Sequence, residues 1–222
     1  MMKVSDFLKQ LDLALKSNTV YGSGAFGASI GNFSSQLDRY YKNTYNKCGK
    51  TYADKLKTAA KTKPCYAFDC VGLVKGILWD WNAKAEDIYG GANYESNGVP
   101  DAGAGSSGLI SYCKDVSTNF SNIIAGELLW LDGHVGVYVG DGMAIECTTA
   151  WDDKVQKVEC WNVKKTGRGR SWTKHGKLPW VDYTSQVKTY SVEIGGYKTK
   201  AEAEKMQTAL KVLGTNSTIT EK

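Results

Sequence analysis

Histidine and proline are scarce in this chain: 222 residues contain two of the first and three of the second. The histidines are His134 and His175, and none of the six cysteines (Cys48, Cys65, Cys70, Cys113, Cys147, Cys160) forms a C-x-x-C pair. That spacing excludes the usual structural zinc sites. The chain is also too long to depend on disulfides as mini-folds do, so reduced thiols are the default. No stretch approaches the roughly 18 apolar residues of a membrane span. The opening "MMKVSDFLKQLDLALKSN" lacks the apolar core of a secretory signal. The expectation is a protein made in the cytosol that stays soluble and has no membrane partner.

Aromatic residues are plentiful, with seven Trp and thirteen Tyr, and 42% of the chain is hydrophobic. That load fits one good-sized core and surfaces suited to sugars or peptides, and it excludes disorder. The net charge of +5 is local. Lys154, Lys157, Lys164, Lys165, Arg168, Arg170, Lys174 and Lys177 face a single Glu in their span. Such a run draws polyanions, or else is a solvated face.

Along the chain, Ser5 is placed to cap a helix whose Phe7, Leu8, Leu11 and Leu15 share one face. "TVYGSGAFGASIG" reads as a shaped loop, and residues 33–62 as one or two short helices. "DCVGLVKGILWDW" reads as a helix, followed by a long loop over 89–108. From Ile123 the pattern alternates in steps of two, broken by glycines, which predicts strands and a hairpin. Helices first and an antiparallel sheet second make an α+β fold, with a main domain over 1–185. Residues 186–222 read as strand, turn, helix and short strand, with Ala201, Met206, Leu210 and Leu213 on the buried face of the helix. About 36 residues are too few to fold alone. This module needs the main domain, a second copy or a partner.

Chemistry concentrates at "FDCVGLV". Asp69 as N-cap makes Cys70 the first helical residue, where amide N–H groups and the helix dipole favour a thiolate. The alternative is a small buried thiol beside an ordinary cap. His134, after Gly133 and at the start of a strand, is one of only two available bases. Glu146 joins it under a geometric condition. A two-residue turn at Asp141–Gly142 pairs Glu146 with Val137, on the wrong face. A three-residue loop over 140–142 pairs it with Gly136, on the face of His134, where the missing side chain leaves room for the two to meet. An acidic partner would orient the imidazole and stabilise its charged form.

"FDCVGLV" together with "GHVGVYVGDGMAIECTT" resembles the NlpC-type papain-like cysteine peptidases that cut bacterial peptidoglycan. The likeness spans roughly residues 19–150. It implies Cys70, His134 and Glu146 as the catalytic set, and a Cys-bearing helix packed on a small antiparallel sheet. Val71 stands where the family usually has Ser, and Glu146 where His, Asn or Gln is commoner, although related CHAP amidases use Glu. "VYGSGAFG" resembles the family's tyrosine loop. Tyr21 would then sit at the oxyanion site, with Asp69 and Trp130 as further oxyanion or substrate residues and Tyr66 and Trp151 along the cleft. The resemblance implies hydrolysis of a stem-peptide amide at D-glutamate, as a γ-D-glutamyl endopeptidase, with no metal or cofactor. The same scaffold also cuts between muramic acid and L-alanine. A phage endolysin that reaches the wall after holin release fits the missing signal. The rivals are a silent wall-binding protein and a nucleic-acid binder using residues 154–177. The tail, "YSVEIGGYKTKAEAEKMQTAL", resembles half of a SPOR-type repeat, which implies wall binding or a homodimer. The basic run would then meet anionic wall polymers. His175 has no assigned role beyond structure.

Overall fold

The computed structural model describes residues 1–184 and 199–212. The chain divides into two compact units, Met1–Gln186 and Val187–Lys222. The first is α+β. It runs β1 (Met2–Lys3), α1 (Val4–Lys16), β2 (Thr19–Tyr21), β3 (Phe26–Ser29), α2 (Ser34–Cys48), α3 (Lys50–Ala59), β4 (Tyr66–Phe68) and α4 (Cys70–Leu78). Then follow α5 (Leu109–Tyr112), β5 (Lys114–Ser117), β6 (Leu128–Leu131), β7 (His134–Gly140), β8 (Met143–Cys147), β9 (Val155–Cys160), β10 (Gly169–Arg170), β11 (Lys174–Lys177) and β12 (Val181–Asp182).

Helix α1 starts one residue before its expected cap. Lys3 is the N-cap and offers no side-chain bond. The entry is held by β1, which pairs in parallel with β12, Met2 opposite Val181. Val4, Phe7, Leu11 and Ala14 form the buried stripe, with Leu8 and Leu15 at its margin. The glycine-rich stretch after α1 is not a loop. β2 and β3 flank β4, the first parallel to it and the second antiparallel. Two glycines of α4 make this possible. A Cβ on Gly72 would lie 1.9 Å from the Ala25 carbonyl oxygen, and one on Gly76 2.3 Å from that of Phe26. Without side chains there, the helix lies directly against the β3 backbone. Of the one or two helices expected over 33–62 there are two, α2 and α3, parted by Gly49 at φ 91°.

Among the described residues the main sheet has seven strands, in the order β10-β9-β8-β7-β6-β11-β5. It is antiparallel except at one edge, where β10 runs parallel to β9 because the chain returns after a turn over 161–168 rather than through a hairpin. The edge strand β5 had no sequence signal, being mostly exposed and without alternation. One sheet face, with Val135, Val137, Ile145 and Cys147, joins α1 and α4 in the main core. The other face packs Leu129, Tyr138, Ala144, Val158 and Cys160 under Trp172.

Between β7 and β8 the chain takes neither of the two expected registers as drawn. Gly140 pairs with Met143, so the turn has two residues, Asp141 and Gly142, both at positive φ. A bulge then displaces Val139, and Tyr138 meets Ala144 and Val137 meets Ile145. The bulge shifts the register by one and sets Glu146 level with Gly136, on the face of His134.

His175 lies in the sheet at 2% exposure. Its Nδ1 pairs with the Glu127 carboxylate and its Nε2 lies 2.9 Å from the Asn119 carbonyl oxygen, with the ring against Phe120. Its role is structural. In the second unit, α6 (Lys200–Val212) carries Ala201 and Met206 exposed rather than buried. Leu213 and the strands expected around the helix lie outside the described residues.

Two substitutions test this framework in denaturant unfolding. Gly72→Ala is expected to cost about 3 kcal/mol, because backbone rather than a movable side chain occupies the space. His175→Ala strands the buried Glu127 carboxylate and is expected to cost roughly 3–5 kcal/mol.

Candidate active site

Cys70 is the first residue of α4, and Asp69 is its N-cap. The Asp69 carboxylate accepts the Gly72 N–H at 2.6 Å through Oδ1 and the Gly24 N–H at 2.7 Å through Oδ2. The Asp69 N–H in turn donates to the Ala25 carbonyl at 2.8 Å. One side chain thus fastens the helix start to the loop between β2 and β3. Burial raises the Asp69 carboxyl above the usual range, against the pull of these N–H groups.

The Cys70 thiol is pushed up to about 12, first by burial and then by the Asp69 charge. The backbone N–H of Val135, and those of Val71 and Cys70 itself, pull it down but do not prevail. The expected thiolate is therefore not the resting state. A helix end supplies partial charges, whereas Asp69 supplies a full one beside the sulfur. Burial also lifts the thiols of Cys65, Cys113 and Cys147. Cys70 differs from Cys65 and Cys147 in being partly exposed.

His134 and Glu146 meet as the bulged register allows. His134 Nε2 lies 2.8 Å from Glu146 Oε2, and the Glu146 side chain is fully buried. The imidazole stacks on Trp172 with ring centres 5.5 Å apart and planes inclined by 15°. The space at Gly136 is taken by this tryptophan, since a Cβ there would lie 2.8 Å from its ring. Cys70 reaches the pair through the chain neighbour of His134: the Val135 N–H points at the Cys70 sulfur. With Nε2 engaged, Nδ1 is the nitrogen left for a proton from the thiol. Among the described residues the thiol and the imidazole share no direct hydrogen bond.

The sequence did not signal the other half of the Glu146 environment. Arg170 Nη2 donates to Glu146 Oε1 at 2.9 Å. Its guanidinium lies over the rings of Trp151 and Trp172, at 4.9 and 5.8 Å. Glu159 builds this arm by accepting the N–H groups of Thr166 and Gly167 at 2.7 and 2.6 Å. Asn162 clamps the Trp172 backbone from both sides. Arg170 Nε and Trp172 Nε1 are buried and have no partner among the described residues.

Tyr21 lies opposite Phe68 in the β2–β4 pairing, two residues before Cys70. Burial, with the charges of Asp69 and the nearby thiols, raises its hydroxyl well above the usual range, so it stays an O–H donor. It also neighbours Cys48, whose thiol burial raises and the Tyr21 hydroxyl partly lowers again. Two expected cleft residues belong to the core. Trp130 is buried, with Nε1 donating to the Ala104 carbonyl at 2.8 Å, and Tyr66 bonds the Ala83 carbonyl and packs on Trp81. Both are large enough to be consumed by the interior. Trp151 is exposed, at φ 63°.

Nor is most of the basic run a free cationic face. Lys164, Arg168, Arg170 and Lys177 pair with Glu159, Asp152, Glu146 and Asp115. Lys165 and Lys174 lie over Trp161 and Trp130. A cavity of about 450 Å³ opens beside Asp69, lined also by Phe26, Arg39, Lys75, Tyr89 and Asp101.

No protein-family model matches this chain, and no curated protein matches it. Among the described residues, no helix is long and apolar enough to cross a membrane.

Asp69→Asn removes the charge while its single side-chain oxygen still caps Gly72, at the cost of the acceptor for the Gly24 N–H. Removing the negative charge lowers the Cys70 pKa, so at fixed pH the thiolate fraction grows. Alkylation of Cys70 by iodoacetamide at pH 8, followed by peptide mass spectrometry, is expected to quicken by about threefold to tenfold. An unchanged rate contradicts the assigned cause.

Proposed function

We propose that the protein is a thiol hydrolase that cuts an amide bond in the stem peptide of peptidoglycan. The observation that carries the reading is a helix-start cysteine whose sulfur faces the N–H of Val135, next in the chain to a His134 that is paired with the buried Glu146. The residues that make the resemblance to NlpC-type peptidases are the residues of this arrangement.

Cys70 enters as a thiol. As its sulfur attacks the amide carbonyl, the thiol proton passes to His134 Nδ1, and the imidazolium that forms is stabilised by Glu146. The oxyanion takes hydrogen bonds from the Cys70 N–H and the Tyr21 hydroxyl. His134 gives its proton to the leaving amine, which departs as the C–N bond breaks. Water, deprotonated by the same imidazole, hydrolyses the thioester and restores the thiol. The cavity beside Asp69 seats the part of the stem next to the scissile bond, offering aromatic walls and both signs of charge. A γ-D-glutamyl bond is the expected target. Wall binding or pairing by the second unit, and action outside the membrane after holin-type release, belong to the same proposal.

Purified walls digested with wild-type protein are expected to release fragments bearing new amine ends, and Cys70→Ala to release none above the blank. Fragment masses ending at D-glutamate identify the endopeptidase, whereas free L-alanine amines identify a muramoyl amidase. Wall binding without release by either protein supports the silent-binder reading instead.

A further inference from the structure

We propose that Arg170 is a positioning residue that sets the basicity of His134 through the carboxylate they share. This inference deepens the hydrolase reading and rests on His134 as its base. Glu146 has one oxygen on each partner: Oε2 on His134 at 2.8 Å and Oε1 on Arg170 at 2.9 Å. Its side chain has no exposure, so solvent does not share in balancing its charge. A buried carboxylate facing imidazole alone favours imidazolium and strengthens the base. A guanidinium on the other oxygen offsets that charge. The carboxylate then draws less on the imidazolium than it would alone.

The charged and titratable groups around the ring are few. Among the described residues Glu146 from β8 is on the ring and Arg170 from β10 is behind it, while Cys70 at the start of α4, beside Asp69, lies across the Val135 N–H. Trp172 covers one face of the imidazole and underlies the guanidinium, and Trp151 lies under the guanidinium as well. The arrangement persists although two buried donors, Arg170 Nε and Trp172 Nε1, lack partners among the described residues. Stability alone would not select it, because each unpaired donor is costly.

The test is a histidine titration by proton–carbon NMR on the full chain, which needs no substrate. With only two histidines, His175 serves as the internal control of folding. Arg170→Gln and Arg170→Met remove the charge, and Met keeps an apolar stem between the two tryptophans. In either variant that retains the wild-type His175 signal, His134 is expected to bind its proton about tenfold more tightly, a midpoint about one unit higher. Arg170→Lys is expected to restore most of the difference. If hydrolysis is found, the acid limb of kcat/KM moves up by the same amount in the charge-removed variants. A folded charge-removed variant whose His134 midpoint matches wild type overturns the proposal. So does a folded Lys variant that shifts as far as Gln. Failure of the hydrolase reading appears separately, as walls left intact by the wild-type protein.

Discussion

The Asp69 carboxylate is the fastening on which the rest of the site depends. It caps α4, holds the loop at Gly24, and places its own charge beside the sulfur it helps to position. These roles conflict electrostatically. The geometry that makes Cys70 the first helical residue also works against its ionisation. The helix dipole offers only partial charge in return. In the proposed reaction such a thiol needs a base at the moment of attack, rather than acting as a standing thiolate.

That base is organised from the opposite side by the sheet. The bulge at Val139 brings Glu146 to the His134 face, Trp172 fixes the imidazole plane, and Arg170 closes the carboxylate from behind. Each of these partners comes from a different strand or turn. The site therefore forms only when the main sheet is complete. The Glu159 turn and the Asn162 clamp, remote from Cys70 in sequence, bear on its chemistry by delivering Arg170 and Trp172.

Much of this was legible in the residues themselves. The address of Cys70 after a capping aspartate, helix over 33–62, the α+β order and the candidacy of His134 and Glu146 as partners all follow from local pattern. The features that were not legible are non-local. The strands β2 and β3 look like a glycine loop until Gly72 and Gly76 admit them against α4. A bulge leaves no mark on a hairpin of alternating residues, so the right face for Glu146 came from a device the residues did not announce. Trp130 and Tyr66 carried no sign that the core would claim them. In the basic run, charge was legible but pairing was not, since its carboxylate partners are scattered from Asp115 to Glu159.

The most direct measurement is intact-protein and peptide mass spectrometry of the protein quenched in acid during incubation with soluble stem peptides. A thioester chemistry predicts an added acyl mass on the peptide that contains Cys70, absent when the same mixture is treated with hydroxylamine. Turnover with no adduct on Cys70, or with the acyl group on another residue, would contradict it.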